Sequence, residues 1–392
     1  MSRPAVTIVT PSYNQARYIR ATIESVLSQD YPDIEYIVMD GGSTDGTAAI
    51  AAEYSGRLTW VSEKDRGQAH AINKGFQRAR GSIVAWINSD DVLLPGAVSA
   101  AVSAFEETPG VGAIYGEGYC IDGEGRTTTR FPFVEPFNLW KLHYLCDYIL
   151  QQAVFFRRSA LEDIGWLDET LNWALDWDVL VRLGDRFGLR HIQVDMGCLR
   201  EYGDTKTASG GIRRFQELRH VLQRQTGELW PPGCWYYGLD TYDKIWSGFV
   251  RRAGAGPLKP LAGLAADRLF HLCRYKIDQT AVHAQGYYRG GWAGRRLYWM
   301  LPRGTTRCTV LGEIPPWAGA PGAMRLRFFA GGRPLDRRIL EPGPFEWIIP
   351  LPTAQPDTPV SIRIDASKSK RAPLDSNVPA GALLSWRLRS IG

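Results

Sequence analysis

The sequence predicts an α/β domain built on an open, mainly parallel sheet, then a helical segment and a C-terminal all-β sandwich. Three observations carry this. Four short apolar runs between Val6 and Ile87 each end in a polar, largely acidic loop, and helical patterns separate them. From about residue 210 to 285 the chain looks helical, interrupted by Gly227, Pro231-Pro232-Gly233 and Gly254 to Pro260. After Met300 lie thirteen of the 24 prolines, and short alternating strands replace helices. The implied domains are 1–210, 211–285 and 286–392.

The first strand, Val6-Thr10, ends at Pro11-Ser12-Tyr13-Asn14. Ala16, Ile19, Ile23, Val26 and Leu27 then recur at helical spacing, with Asn14 as the candidate N-cap. The second strand, Ile34-Met39, ends at Asp40 within DGGSTDGT. Leu58-Val61 leads to Glu63, Asp65 and Arg66, and Ala69, Ile72, Phe76 and Ala79 form the next helical stripe. Ile83-Ile87 ends at Asn88-Ser89-Asp90-Asp91. Strands joined through crossover helices run parallel, so their carboxyl ends share one sheet edge, the ligand-binding edge of open α/β sheets. Further on, Val111-Tyr115, Phe155-Arg158 and Gly188-Val194 are expected strands, and Ala160-Ile164 and Trp177-Leu183 helices. In the last third, strands are expected at Arg307-Glu313, Met324-Ala330, Phe345-Pro350, Val360-Asp365 and Leu383-Leu388. Gly331-Gly332 is the expected hairpin turn, and the spacing suggests a sandwich.

Composition narrows the function classes. At 392 residues there is ample core. The 44% hydrophobic and 22% charged content is ordinary for a globular protein. A net charge of +5 is too mild for a nucleic-acid footprint. The six cysteines form no C-x-x-C pair, which disfavours a zinc site or a disulfide framework and fits a reducing compartment. No apolar run reaches the ~18–20 residues of a spanning helix, and no secretory signal is evident. The expected location is cytoplasmic, with a peripheral contact at the inner face of the plasma membrane as an added expectation. Its motivation is the basic and aromatic mixture over 244–276, including Lys244, Trp246, Phe249, Arg251 and Arg252.

Five clusters carry possible chemistry. Asp40, before two glycines, can accept hydrogen bonds from a nucleobase or ribose, while Gly41-Gly42 let a flat ring approach the backbone. The same residues also suit plain turns, with Asp45 capping a helix. Adjacent Asp90 and Asp91 at a strand end suit Mg²⁺ or Mn²⁺, which want oxygen ligands, or an exposed helix cap. Asp65 and Arg66 could pair with each other or hold a base and a phosphate; His70, Asn73 and Lys74 share that ambiguity. Asp176 and Asp178 sit among large apolar residues, where a carboxyl can gain a raised pKa useful to a general base, or simply cap the following helix. Arg200 and Lys206, in the loop REYGDTKT, could close on phosphates.

Together these segments resemble the family 2 glycosyltransferases of GT-A fold, over about residues 5–210. The matching pieces are TIVTPSYNQ, DGGSTDGT, EKDRGQAHAINKG, WINSDD, QQAVFFRRSAL, LDWDVLVRL and REYGDTKT, in family order. The resemblance implies an inverting, metal-dependent transfer of a sugar from a nucleotide-diphosphate donor (UDP-, GDP- or dTDP-linked) to a glycan or lipid-linked saccharide, in bacterial surface polysaccharide synthesis. It implies that Pro11, Tyr13 and Asp40, completed by Asp65 and Arg66, line the nucleoside pocket. Asn14, Asn73, Arg200 and Lys206 join the candidate donor-binding set. Asp90 is implied at ribose or metal, Asp91 as ligand of Mn²⁺ or Mg²⁺, and Asp176 as catalytic base. Asp91→Asn is expected to spare the fold. Three positions depart from the family pattern: Leu175 where Glu is common, Asn88 where an Asp often stands, and Tyr202 in place of a frequent His. Through Gly290-Gly291-Trp292, Gly312-Glu313-Ile314-Pro315-Pro316-Trp317 and Leu384-Ser385-Trp386, the region of about 286–392 resembles accessory sandwich domains of some bacterial glycosyltransferases; Trp292, Trp317, Trp347 and Trp386 either stack on sugars or fill the core. Two other readings are a nucleotidyltransferase on a similar sheet and an inactive glycan-binding scaffold.

Overall fold

The structure, a computed structural model, describes residues 5–202, 206, 210–252, 285, 287–288, 292–301, 304–316, 323–351, 359–367, 370–371 and 383–391. The chain divides into two compact units, residues 1–137 with 147–221, and residues 138–146 with 222–392. Helices in chain order are α1 (Ile19–Leu27), α2 (Thr47–Ala52), α3 (Gln68–Arg78), α4 (Ala97–Glu107), α5 (Leu139–Tyr144), α6 (Arg158–Asp163), α7 (Leu175–Phe187), α8 (Gly211–Thr226) and α9 (Pro232–Arg252).

The first unit holds a nine-stranded sheet. Its strands are β1 (Val6–Ser12), β2 (Ile34–Asp40), β3 (Thr59–Ser62), β4 (Ile83–Trp86), β5 (Val92–Leu93), β6 (Ala113–Ile121), β7 (Thr127–Arg130), β8 (Val154–Arg157) and β9 (Leu189–Arg200). The order is β3-β2-β1-β4-β8-β6-β9-β5, with β7 beside β6. β3, β2, β1 and β4 are mutually parallel as expected, in the register Ser12 opposite Asp40 and Asp40 opposite Ser62. The crossovers between them are helical, which is why their polar ends reach one edge. β8 then runs antiparallel to β4, and β6 runs antiparallel to β8. β6 pairs parallel with β9. This is a GT-A-like α/β arrangement.

Strands buried on both faces need apolar side chains on both faces. β1 is buried along its whole length, and Val6 and Ile8 join Ile23, Val38, Ala85, Ile114 and Phe155 in one core. The α3 stripe behaves as its spacing predicts, burying Ala69, Ile72 and Phe76. Gly75 is required there, since a methyl group would overlap the Val9 side chain. One local expectation fails. α1 begins at Ile19, and Asn14 does not cap it. Asn14 instead takes a positive φ of 53°, a conformation that Asn tolerates better than most residues.

The second unit is largely β. One sheet joins β10 (Tyr287–Tyr288), β11 (Trp292–Gly294), β13 (Arg307–Ile314), β16 (Gly343–Pro350), β18 (Lys370–Arg371) and β19 (Leu383–Ile391). The other joins β12 (Arg296–Leu301), β14 (Met324–Ala330), β15 (Arg333–Leu340) and β17 (Val360–Ala366). All pairings are antiparallel. β13 and β14 alternate buried and open residues, and the buried sets of both sheets form one core. Gly331 and Gly332, both at positive φ, turn β14 into β15. Trp347 and Trp386 are fully buried in this core. Trp317 and the 253–276 part of the basic-aromatic segment lie outside the described residues.

Candidate active site

The carboxyl ends of β1, β2 and β3 meet through Asp40. Its carboxylate is 1% exposed and accepts hydrogen bonds from the Ser43 N–H at 3.0 Å and the Gly42 N–H at 3.2 Å. The Ser43 and Ser62 hydroxyls donate to it as well. Asp40 therefore orders the 41–43 turn; its oxygens already have protein donors. Asn14 completes the clamp, since its Oδ1 accepts from Thr44 N–H at 2.9 Å and its own N–H donates to Ser43 Oγ at 2.8 Å.

The open part of this end is formed by Tyr13, Gly41 and Asp65. Tyr13 is 63% exposed. A methyl on Gly41 would lie 2.7 Å from Asp65 Oδ2 and 3.3 Å from Tyr13 Cδ2, so both side chains flank the bare backbone of Gly41. Pro11 lies within β1, opposite Met39. Asp65 and Arg66 do not pair with each other. Asp65 accepts from Gly67 N–H at 2.9 Å, while Arg66 forms an ion pair with Glu169. His70 Nδ1 accepts from Arg66 N–H. Asn73 is 4% exposed, and its amide is spent on Leu167 and Glu169, which braces α3 against the 167–169 loop.

At the end of β4 the two acids separate. Asp91 is 1% exposed. It accepts from Arg200 N–H at 2.8 Å, Gln152 Nε2 at 2.6 Å and Asn88 Nδ2 at 3.0 Å. Burial, reinforced by Asp90, pushes its carboxyl up to about 7. Asp90 is less buried, takes the Tyr202 hydroxyl at 2.8 Å, and is also raised by burial. The Arg200 guanidinium is directed at main-chain carbonyls of Asp90, Asp122 and Gly123. Asp90, the less buried of the two, offers the hard carboxylate oxygen that Mg²⁺ or Mn²⁺ prefers, whereas both Asp91 oxygens already serve protein N–H donors. No group of three or more His, Cys, Asp or Glu side chains converges among the described residues. An ion here would draw its other ligands from diphosphate and water. Because Asp91 serves three N–H donors, its replacement is not structurally silent.

α7 sorts the second acidic pair. Asp178 is 1% exposed and locked to Arg182 at 2.8 Å, whose guanidinium also holds the Ile164 and Trp166 carbonyls. Asp176 remains half-buried at the helix start, accepting from Trp177 N–H at 2.8 Å. Burial raises its pKa; the Trp177 N–H, Lys206 and Arg214 oppose the shift. Asp147, which the sequence did not single out, is raised by burial and then by Asp176.

A chain of contacts links these ends. Asn88 Oδ1 accepts from Gln68 Nε2 at 2.7 Å, and Gln68 Oε1 accepts from Lys206 Nζ at 2.9 Å. The Lys206 carbonyl accepts from the Trp173 indole at 3.1 Å. Burial lowers the Lys206 pKa, against the pull of Asp176 and Glu217. Sequence reading missed Gln68, Gln152 and Glu217 as site residues. The first two lie inside motifs already recognised, whereas Glu217 carries no local signal.

Residues 7–165 match the profile of Glycosyl transferase family 2. An uncharacterized glycosyltransferase of Rickettsia prowazekii is 26% identical over 263 residues, covering 64% of this chain and 72% of that one. The chondroitin synthase of Escherichia coli is 29% identical over 192 residues, covering 48% of this chain but 28% of the synthase. Among solved structures, Staphylococcus aureus TarS 1–349 in complex with UDP-GlcNAc aligns at 17% identity with a TM-score of 0.47, covering 70% of this chain and 83% of that one. The chain carries a Glycosyl transferase family 2 domain over residues 7–165 and is a glycosyltransferase.

Proposed function

We propose that the chain moves a sugar, with inversion, from a nucleotide-diphosphate donor to a hydroxyl of a glycan or lipid-linked saccharide in bacterial surface polysaccharide synthesis. The observation that carries this is the convergence of Tyr13, Gly41 and Asp65 at the carboxyl edge of the sheet, together with a separate part-buried acid, Asp176. Asn88, beside Asp91, is joined through Gln68 and Lys206 to Trp173, three residues before Asp176. The slot takes the base and ribose. Asp176 accepts the proton of the acceptor hydroxyl as that oxygen bonds to the anomeric carbon. The anomeric bond to the diphosphate breaks on the opposite face, so one in-line displacement inverts the centre. Lys206 lies where it can hold a phosphate or Asp176. Asp90 and Asp91 would hold Mn²⁺ or Mg²⁺, whose charge when bound stabilises a leaving diphosphate.

The same protein has an exposed apolar stripe in its second unit, comprising Leu229, Trp230, Trp235, Tyr242 and Ile245. Residues 244–276 contain seven Lys and Arg against one Asp, a net +6. No helix among the described residues is long and apolar enough to cross a membrane. These exposed aromatic residues, followed in sequence by a basic segment, support peripheral contact with an anionic lipid surface, where a lipid-linked acceptor resides.

The test is a thermal-shift screen of UDP-, GDP- and dTDP-sugars with Mn²⁺, followed by turnover of the best donor. Slow release of nucleoside diphosphate supports a transferase, whereas release of pyrophosphate from a nucleoside triphosphate supports a nucleotidyltransferase. Asp176→Asn is expected to keep donor binding and lose roughly 10²–10⁴-fold in transfer. Near-normal kcat in that variant rejects Asp176 as the base.

A further inference from the structure

The start of α7 is held by a residue from outside the recognised motifs. Glu217, on α8, turns its carboxylate onto three consecutive main-chain N–H groups. Asn172 N–H donates to both oxygens, at 2.9 and 3.0 Å, and Ala174 N–H donates to Oε1 at 2.8 Å. Trp173 N–H donates to Oε1 as well. These three residues immediately precede Leu175 and Asp176. A carboxylate beside a helix N-terminus also lies favourably in the helix dipole.

The segment is pinned from a second side. The Trp173 indole donates to the Lys206 carbonyl. Gly210 passes so close that a methyl there would lie 2.7 Å from both Trp173 Nε1 and Arg214 Cβ. The main chain before Asp176 therefore has little freedom, and Glu217 supplies its charged anchor. Trp173 is the branch point: its N–H goes to Glu217 and its indole to the residue whose ammonium reaches Gln68.

We propose that Glu217 is a positioning residue for Asp176, fixing the 172–174 backbone so that the Asp176 carboxylate meets the acceptor hydroxyl. The inference rests on the reading of Asp176 as the base. Glu217 itself touches neither donor nor acceptor. Its loss leaves donor affinity intact and lowers the chemical step, since a misplacement of ~1 Å can cost about 10²-fold.

Three variants and one control decide it. Glu217→Ala removes the anchor, Glu217→Gln keeps its reach without the charge, and Glu217→Asp keeps the charge without the reach. Hydrogen exchange of the free protein reads the backbone directly. Hydrolysis of the donor selected by thermal shift, with Mn²⁺ and water as acceptor, reads kcat and donor KM. Glu217→Ala should speed exchange of the 170–178 peptide at least about 10-fold and leave the 40–47 peptide unchanged. Its kcat should fall roughly 10–100-fold with donor KM within about twofold. Glu217→Gln, which turns an amide towards N–H donors, and Glu217→Asp, which falls short of them, should both lie between wild type and Glu217→Ala in both readouts. Should Glu217→Ala fail to fold, the Gln and Asp variants decide alone. Wild-type exchange at 170–178 in the variants, or wild-type kcat in Glu217→Ala, overturns the proposal. Asp176→Asn, made in parallel, separates the two readings. If it is inactive while Glu217→Ala keeps wild-type kcat, positioning fails alone. If it keeps full turnover, the base assignment fails and takes the catalytic role of Glu217 with it.

Discussion

Gly41→Ala offers the sharpest test of the donor slot, because the added methyl has a calculable neighbour. It would sit 2.7 Å from Asp65 Oδ2, about 0.7 Å inside ordinary contact. The obstacle is the tip of a side chain, so Asp65 moves and the backbone stays. Gly41 keeps its main-chain bond to the Ser12 carbonyl at 2.9 Å. Gly67 N–H holds the other oxygen, Oδ1, at 2.9 Å, so a retreat of Oδ2 by ~0.7 Å turns the carboxylate about that bond and shifts its open face. Fold stability should change by less than about 1 kcal/mol. Donor affinity should change more, because a displaced charged acceptor forfeits roughly 1.5–3 kcal/mol, or about 10–100-fold in Kd. Calorimetric titration with UDP and GDP, beside a thermal melt, reads both quantities. An unchanged melt with an unchanged Kd would refute the reasoning and remove Asp65 and Tyr13 from the donor slot.

Asp91→Asn tests the buried acid. A carboxyl whose folded pKa is raised stabilises the fold below its unfolded pKa, and that stability is lost as pH rises through the folded value. For Asp91 the window runs from the ordinary carboxylate range to about 7. In metal-free buffer the wild type should therefore lose stability across that window relative to Asp91→Asn, by an amount on the order of a few kcal/mol. Superimposed is a pH-independent cost of ~1–3 kcal/mol in the variant, from an amide facing N–H donors. Urea melts at pH 4.5 and 8 in chelator would separate the two, and parallel pH trends would contradict the burial argument; metal-dependent turnover should disappear. For the membrane contact, flotation with anionic liposomes should capture the protein at low salt and release it at high salt, because ions screen surface attraction. Absence from the liposome fraction at low salt would leave the exposed aromatic stripe with another role.

The sequence alone determined what periodicity and strand-end chemistry encode. The parallel run β3-β2-β1-β4 follows from apolar strands alternating with helical stripes, and the residues closing β1, β2, β3 and β4 were legible as one edge. The sandwich strands at 324–330 and 360–366, and the Gly331-Gly332 turn, were legible because alternation and positive-φ glycines are local signals. The motif residues Asp40, Asp65, Asp90, Asp91 and Asp176 were legible by type and order.

Their division of labour was not. Asp40 and Asp91 look equivalent to Asp65 and Asp90 in sequence, yet the first two are 1% exposed and encircled by donors. Asp176 and Asp178 are two residues apart, but the helix directs Asp178 to Arg182 and leaves Asp176 part-buried at the helix start. Arg66 found Glu169, more than 100 residues away, in place of its neighbour Asp65. Asn14 went to the 43–44 turn and gave up the helix cap that local spacing offered. Glu217 reached back to 172–174 with no sequence cue. Burial and long-range pairing depend on which elements pack together, and that is settled by the tertiary fold. Strand ends and residue types are local, so the sequence could supply the parts of the site, and only the packing could assign each carboxylate its partner.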